Sequence, residues 1–393
     1  MHSYEIIIVG AGPAGSSTAI ELANLDPNLA CRVLLLDKAV FPRPKLCAGG
    51  VTNNADVLLG QLGVPVELPA VPVHTSKFVF PTGVLTLTQE SHFRVLRREE
   101  FDHYLFRAAK DRGVVTHEGE GVENVIVRSE GVIVRTSKGE YKSEIIIGAD
   151  GANGTVHKLL SMRRPPGLMM AMEIHAPLSE IRIPGLNQNT AIFDFTMMNR
   201  DVLGYCWVFP AIDQRSPMFS LGIMDSSVNR DKQDSLKSVF LSWLGDIVPK
   251  WHSLELRAHP ALRYEPRVTS SRYRALLVGD AAGVDPLLGE GITSALALGM
   301  IAAQSAYHAL GSRNFCFSDH QNRVRSSFIG NLMRRRHIVA RRFYGSCTSG
   351  TRPLQYSSLL DWVTPSIKRG ASATATWDAS SANSAFPPRV EQF

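Results

Sequence analysis

The 393-residue chain has few cysteines, and they form no recognisable metal-binding or disulfide pattern. Cys31, Cys47, Cys206, Cys316 and Cys347 are scattered, with no C-x-x-C pair among them. Neither a zinc site nor a disulfide framework is therefore indicated, and no metal is expected. A reducing cytoplasm is the simplest setting for such a chain.

The sequence also lacks an uninterrupted apolar run of membrane-spanning length. Its longest apolar stretch, 292–309, is interrupted by Gln304, Ser305 and His308, so we predict a buried helix. The first strand begins within a few residues of the N-terminus, which leaves no room for a signal peptide. We therefore expect a cytoplasmic protein. Hydrophobic residues are 44% and charged residues 20% of the chain, which excludes disorder over most of its length.

A glycine-rich segment stands between an apolar run and a helical stretch near the N-terminus. The run 6–9 leads into Gly10, Gly12, Pro13, Ala14 and Gly15, and the next apolar run, 33–36, ends at Asp37-Lys38. Glycines at the start of a helix let backbone N–H groups approach a pyrophosphate, and an acid after the second strand suits ribose hydroxyls. Strand, glycines, helix and acid in this order predict a dinucleotide-binding unit.

A second glycine-acid signature lies far downstream and narrows the cofactor to FAD. The apolar run 275–278 is followed by Gly279-Asp280-Ala281-Ala282-Gly283, and then by Gly289, Gly291 and Ile292 at the start of the long apolar stretch. A carboxylate at a strand end suits a polyol linker, and a helix N-terminus suits the edge of an isoalloxazine. NAD has neither group, so the two signatures together predict FAD.

We predict an α/β fold with a discontinuous Rossmann-like FAD-binding domain at 1–164 and 266–312, including a β-hairpin region. Alternating strands and one helix near 232–244 predict an inserted β-rich substrate domain at 165–265. A C-terminal helical region is expected at 313–370. The tail 371–393 is rich in Ala, Ser and Thr and is expected to be poorly ordered.

Four further segments resemble flavoprotein motifs. Residues 98–102 resemble an R-x-x-F-D element, 148–151 a G-A-D-G element, 45–50 a K-x-C-x-G-G element and 204–210 a Y-x-W-x-F-P element. Over about 4–310 the chain resembles the p-hydroxybenzoate hydroxylase-like flavoproteins and, within them, the geranylgeranyl reductase family. It departs from those patterns at Gly154, His157 and Ala211, where Ser, Arg and Lys are usual.

The resemblance implies an FAD-dependent reductase that saturates isolated C=C bonds of an isoprenoid chain. It implies cofactor contacts for Cys47, Ala48, Gly49, Arg98 and Val122, a catalytic role for Cys47, and substrate contacts for Tyr205, Trp207, Phe209 and Pro210. No second GxGxxG unit occurs, so NADPH bound transiently or reduced ferredoxin is the expected electron donor. A flavin monooxygenase or halogenase, and a non-catalytic electron-transfer or sensor flavoprotein, are the alternatives.

Each of these assignments has a purely structural alternative. Cys47 is also a common buried filler, and alternating aromatic residues also pack the cores of sheets. Seven arginines with no acid between them suggest an amphipathic helix that binds anionic lipid or a prenyl diphosphate: Arg323, Arg325, Arg334, Arg335, Arg336, Arg341 and Arg342. Their structural alternative is a solvated helix face. An acidic ferredoxin-like partner also suits this basic surface, and no nucleic-acid partner is expected.

Overall fold

The computed structural model describes residues 2–163, 165–212, 217–226, 235–345 and 374–378. The strands in chain order are β1 His2–Ser3, β2 Ile6–Val9, β3 Val33–Leu36, β4 Gly50–Thr52, β5 Ala70–Phe80, β6 Gly83–Leu96, β7 Val115–His117, β8 Val122–Arg128, β9 Gly131–Thr136, β10 Glu140–Ser143, β11 Ile145–Gly148, β12 Gly167–Pro177, β13 Thr190–Asp194, β14 Gly204–Ala211, β15 Met218–Asp225, β16 Arg257–Arg263, β17 Ser271–Arg272, β18 Ala275–Leu277 and β19 Thr374–Asp378. The helices are α1 Pro13–Leu25, α2 Asn53–Gln61, α3 Arg98–Asp111, α4 Val156–Leu159, α5 Leu236–Ile247, α6 Ile292–Ser312, α7 His320–Ser326 and α8 Phe328–Gly345.

A six-stranded sheet with the order β17-β18-β11-β2-β3-β7 forms the dinucleotide-binding half, and only β17 runs antiparallel. Its central strands are apolar and buried on both faces, as is usual for a parallel sheet covered by other layers. Helices α1 and α6 pack against each other, and a Cβ on Gly299 of α6 would lie 2.1 Å from Ser17 Oγ. The predicted α/β fold is confirmed, and the apolar stretch 292–309 is the buried helix that its sequence suggested.

A nine-stranded sheet forms the second half, in the order β16-β12-β15-β14-β13-β5-β6-β19, with β4 paired to β6. The predicted boundary of the substrate domain is wrong here, because β4, β5 and β6 come from the segment assigned to the FAD-binding domain. Strand β5 pairs in parallel with β13, with Thr75 opposite Thr190. Pairing between segments more than a hundred residues apart leaves no local sequence pattern. The predicted substrate domain therefore lacked the segment that contains β4, β5 and β6.

The predicted β-hairpin region forms part of a small four-stranded sheet, β1-β10-β9-β8. The predicted helix at 232–244 begins at Leu236 and ends at Ile247, and Ser235 Oγ caps it by accepting the Ser238 N–H at 3.1 Å. Residues 227–234 lie outside the described residues.

The C-terminal region is helical, but the seven arginines do not lie on the one amphipathic helix that the sequence suggested. The region is divided at Ser327 into α7 and α8, and Phe328 at the start of α8 is 57% exposed. The tail prediction also needs correction, because residues 374–378 form β19 and pair with β6. The rest of 371–393 and 346–370 lie outside the described residues. Among the described helices, none combines the length and apolarity needed to cross a membrane.

Candidate active site

A cavity of about 770 Å³ is lined on one side by the glycine loops and on the other by the nine-stranded sheet. The two signatures and the aromatic strand, which are far apart in sequence, therefore share one space. The predicted site residues in its wall are Gly10, Gly12, Pro13, Ala14, Asp37, Lys38, Cys47, Ala48, Arg98, Val122, Tyr205, Trp207, Phe209, Asp280, Gly289, Gly291 and Ile292.

Three predicted site residues do not line the cavity. Gly15 packs α1 onto the loop before it, where a Cβ would lie 1.8 Å from the Gly10 carbonyl oxygen. Gly49 closes a turn with a φ of +78°, and a Cβ there would lie 2.2 Å from the Leu96 carbonyl oxygen. Pro210 belongs to the face of β14 opposite Tyr205 and Phe209, because side chains alternate along a strand. Gly15 and Gly49 shape the wall, whereas Pro210 is wrongly assigned to it.

The first glycine loop leaves the start of α1 free to bind an anion. Gly12 caps the helix without a side-chain hydrogen bond, so the first N–H groups lack side-chain acceptors. Asp37 holds the loop in place, since its Oδ2 accepts the Ala11 N–H at 2.8 Å and its Oδ1 accepts the Ala39 N–H at 2.9 Å. A Cβ on Gly12 would lie 3.6 Å from Arg43 Nη2, which places a guanidinium beside the same loop.

Two carboxylates in the cavity wall have unused acceptor capacity. Asp280 makes no side-chain hydrogen bond within the described residues, and Asp150 Oδ1 is buried with no partner there. Asp150 Oδ2 accepts the N–H groups of Thr155 and Val156 at 2.6 and 2.9 Å. A Cβ on Gly154 would lie 2.2 Å from Asp150 Oδ1, which explains why glycine replaces the usual serine.

The residues present fit FAD. The open start of α1 would suit a pyrophosphate, Asp37 and Lys38 would border a ribose, and Asp280 would offer an acceptor for ribityl hydroxyls. NAD would leave the second signature unused.

The loop 285–291, which carries the second set of glycines, is tightly fixed. Asp285 accepts the N–H groups of Leu287 and Leu288 at 2.9 and 3.2 Å. Tyr205 and Tyr344 donate their hydroxyls to the carbonyls of Leu288 and Leu287, each at 2.6 Å. The loop is therefore held by the substrate sheet and by α8 together.

Arg336 of α8, in the cavity wall, also holds the loop 285–291. Its Nη1 lies 2.9 Å from Asp285 Oδ2 and 2.5 Å from Glu290 Oε2, and Thr52 Oγ1 donates to Glu290 Oε1 at 2.8 Å. Burial raises the pKa of Glu290, but Arg336 and the hydroxyl donors outweigh it and lower that pKa below its usual value. Arg336, predicted to lie on a cationic surface, thus points inward.

Cys47 lies among polar groups rather than in a purely apolar core. Its sulfur accepts the Gly49 N–H at 3.4 Å and contacts the Arg98 guanidinium, which is paired with the fully buried Asp102 at 3.0 Å. Its backbone lies beside Glu173, a carboxyl whose pKa is raised by burial. This environment distinguishes Cys47 from a buried filler.

The opposite wall of the cavity is aromatic. Phe193 contacts both Phe78 and Phe209, with ring centroids 4.7 and 4.9 Å apart. Trp207 donates its Nε1 hydrogen to Ser220 Oγ at 3.0 Å, and Ser220 donates to Glu173 at 3.1 Å. Because the polar groups of Tyr205 and Trp207 are bonded to protein, this wall presents an apolar surface.

An unpredicted pair, Lys45 and His259, lines the same cavity. Lys45 Nζ donates to His259 Nε2 at 3.0 Å. Burial and then the adjacent ammonium lower the pKa of His259 to about 4, so the ring is neutral at pH 7. Burial also lowers the pKa of Lys45, against the opposing effect of Asp280.

We predict that His259→Leu makes the stability of the protein less dependent on pH between pH 7 and 4. Between pH 6.5 and about 4 the unfolded chain binds a proton at His259 that the folded chain does not, so stability falls as pH falls. The variant should lose less Tm than the wild type between pH 7 and 4 in thermal melts. His308→Leu, at an exposed position of α6, should retain the wild-type slope. Parallel slopes for wild type and His259→Leu would contradict the prediction.

Sequence reasoning assigned no site role to Arg43, Lys45, Asp150 or His259 and placed Arg336 on a cationic surface, but all five line the cavity. Arg43 and Lys45 stand just before Cys47, and basic residues so close to a predicted cofactor turn were a usable signal. Asp150 was noted only as part of a motif. His259 and Arg336 carried no signal, because each meets its partner only through the fold. The described residues contain no cluster of His, Cys, Asp or Glu suited to a metal ion.

The sequence profile of a family described as FAD binding domain matches residues 3–297. An uncharacterised protein of Methanosarcina barkeri is 29% identical over 97% of this chain and 93% of its own. Digeranylgeranylglycerophospholipid reductase 3 of Methanosphaera stadtmanae is 26% identical over 80% of each chain.

Two solved structures show the same fold. A geranylgeranyl bacteriochlorophyll reductase-like protein of Thermoplasma acidophilum superposes with a TM-score of 0.74 at 19% identity, over 94% of this chain and 97% of that one. The halogenase PltM superposes with a TM-score of 0.69 at 17% identity, over 88% of this chain and 77% of its own. The chain belongs to the FAD binding domain family and is an FAD-dependent oxidoreductase of geranylgeranyl reductase-like fold.

Proposed function

We propose that this oxidoreductase saturates isolated C=C bonds of a geranylgeranyl-type isoprenoid chain. The observation that carries the proposal is one cavity with a glycine-lined cofactor side and an aromatic, apolar side. The relatives named digeranylgeranylglycerophospholipid reductase support the same substrate class.

An isolated alkene has no conjugated group to absorb charge, so its reduction depends on positioning and on exclusion of water. Reduced FAD, when bound, supplies a hydride. Phe193, Trp207 and Phe209 hold the isoprene units against the cofactor side of the cavity. Arg98 and Gly49 fix the Cys47 side chain, while Asp280 and the loop 285–291 orient the cofactor.

Saturation of the double bond also requires a proton at the second alkene carbon. Two groups in the cavity wall are the candidate proton donors. These are the Cys47 side chain and Lys45, whose Nζ is hydrogen-bonded to His259. Comparing Cys47→Ser with Lys45→Met identifies the donor. Loss of the donor slows prenyl reduction and alters the solvent deuterium isotope effect, while FAD content stays at the wild-type level.

NADPH or reduced ferredoxin supplies the electrons, and the exposed arginines of α7 and α8 suit an acidic protein donor. The same cationic face would support peripheral contact with an anionic membrane in an otherwise cytoplasmic protein. The fold is also that of a halogenase, which supports one alternative to the proposed reaction: a flavin monooxygenase or halogenase acting on an aromatic substrate.

Anaerobic incubation of the reduced enzyme with geranylgeranyl diphosphate tests the proposal. Mass spectrometry should show gains of two hydrogens per saturated bond. No gain on any prenyl substrate, together with oxygen-dependent modification of an aromatic compound, would establish the alternative.

Trp207→Ala should reduce kcat/KM for a prenyl substrate by on the order of tenfold to a hundredfold, because the chain loses its fixed position. FAD content should be unchanged, since Trp207 lies on the substrate side. Val208→Ala is the matched control, because Val208 is on the same strand but packs in the core on the other face. Steady-state kinetics of both variants decide the matter. Equal losses in the two would assign Trp207 to the core alone.

A further inference from the structure

A second concavity lies outside the cavity, where the chain before β12, the loop after β16 and helix α8 meet. Its volume is about 520 Å³, and its wall includes Arg163, Arg267 and Arg341 together with His337 and Glu265. We call it the basic pocket. Neither the predicted cofactor residues nor the aromatic wall contributes to it.

The described residues leave the basic pocket with an excess of positive charge. The guanidinium groups of Arg163, Arg267 and Arg341 form no salt bridge or side-chain hydrogen bond with the described residues. Glu265 is the single acid in the described wall, and its Oε1 accepts the Arg267 backbone N–H at 3.4 Å. Burial lowers the pKa of His337, whose Nδ1 lies 3.3 Å from the Tyr264 carbonyl oxygen, so the ring adds no charge at pH 7.

A fourth guanidinium borders the basic pocket. Arg325 of α7 donates from Nη2 to the Pro266 carbonyl at 3.3 Å, and Pro266 is part of the wall. Exposed arginines normally diverge into solvent, whereas these four come from four separate segments and border one concave surface. Planar guanidinium groups bind phosphate oxygens through paired, charge-assisted hydrogen bonds.

We infer that the basic pocket binds the phosphate or diphosphate head group of an isoprenoid ligand. Three guanidinium groups on one concave surface, with no salt bridge to the described residues, match the negative charge of that group. The assignment to an isoprenoid rests on the proposed function, whereas binding of a phosphate group does not.

The position of the basic pocket suits such a ligand. Pro166 lines the pocket and Met169 lines the cavity, and three residues of extended chain span about 10 Å. On α8, Arg336 faces the cavity and Arg341 the pocket. A head group held here keeps its isoprene units beside the cavity.

Calorimetric titration of the full chain with inorganic diphosphate tests the inference without turnover. Wild type should bind saturably, with an affinity that falls as salt rises. The double variant Arg267→Gln/Arg341→Gln should raise the Kd at least tenfold, because each lost charge-assisted hydrogen bond contributes about that factor. Arg107→Gln is the control, since Arg107 is exposed on α3 and contributes to neither cavity.

Competition distinguishes the source of the phosphate. Geranylgeranyl diphosphate should displace inorganic diphosphate and geranylgeraniol should not. Displacement by phosphatidylglycerol vesicles, but not by phosphatidylcholine vesicles, would assign the site to a phospholipid head group instead. Absence of saturable diphosphate binding in the wild type, or equal Kd values in wild type and the double variant, would overturn the inference. Because no reduction is measured, failure of the proposed reaction would leave this result unaffected.

Discussion

Arg336→Met should lower the free energy of unfolding by about 3–5 kcal/mol, the usual cost of removing one partner from a buried ion pair. Arg336 is the cation that faces both Asp285 and Glu290, whose side chains are only 1% and 14% exposed. Methionine fills a similar volume but leaves two carboxylates without their partner. Urea unfolding at pH 7 measures the loss.

The pH dependence of this effect has a definite sign. Because Arg336 lowers the pKa of Glu290, the pair stabilises the protein above the ordinary glutamate pKa of 4.5, and this stabilisation is lost as pH falls below it. The gap between wild type and Arg336→Met should therefore narrow below pH 4.5. Arg335→Met, at an exposed neighbouring position, should change stability by less than about 0.5 kcal/mol. A pH-independent gap would mean that packing, not charge, accounts for the loss.

Gly15→Ala should yield a folded protein with at least tenfold less bound FAD. A Cβ at this position would lie 1.8 Å from the Gly10 carbonyl oxygen, so α1 must move away from the loop that it follows. The third glycine of a dinucleotide-binding loop serves this close packing, and movement of the helix displaces the N–H groups intended for the pyrophosphate. Visible flavin absorbance per mole of purified protein measures the loss.

Gly60→Ala is the matched control, because a Cβ on Gly60 would have no neighbour within 4 Å. It should bind FAD as the wild type does and be equally or slightly more stable. Circular dichroism of Gly15→Ala should retain the wild-type helical signal. Full FAD content in Gly15→Ala would contradict the packing argument.

Much of the cofactor side of the site was predictable from the sequence. Gly10, Gly12, Asp37 and Asp280 all line the cavity as expected, because glycine spacing and an acid at a strand end act through local backbone geometry. The aromatic strand was predictable for the same reason, since side chains two residues apart share one face. The assignment of Pro210 to the substrate site broke this rule. Pro210 directly follows Phe209, so it lies on the other face of the strand.

The partners of these residues were not predictable. Lys45 meets His259 across 214 residues, Arg336 meets Asp285 across 51, and Glu173 of β12 lies beside the Cys47 backbone. The membership of β5 and β6 in the nine-stranded sheet was not predictable for the same reason.

The sequence by itself determined the cofactor and the α/β class, because both depend on short segments whose residues act on their own backbone. The tertiary structure decided which side chains share the cavity, that Arg336 points inward, and that three other arginines form the basic pocket. The physical reason is that strand register and helix packing bring distant segments together. Those contacts depend on the whole chain, so no single segment shows a sequence pattern that predicts them.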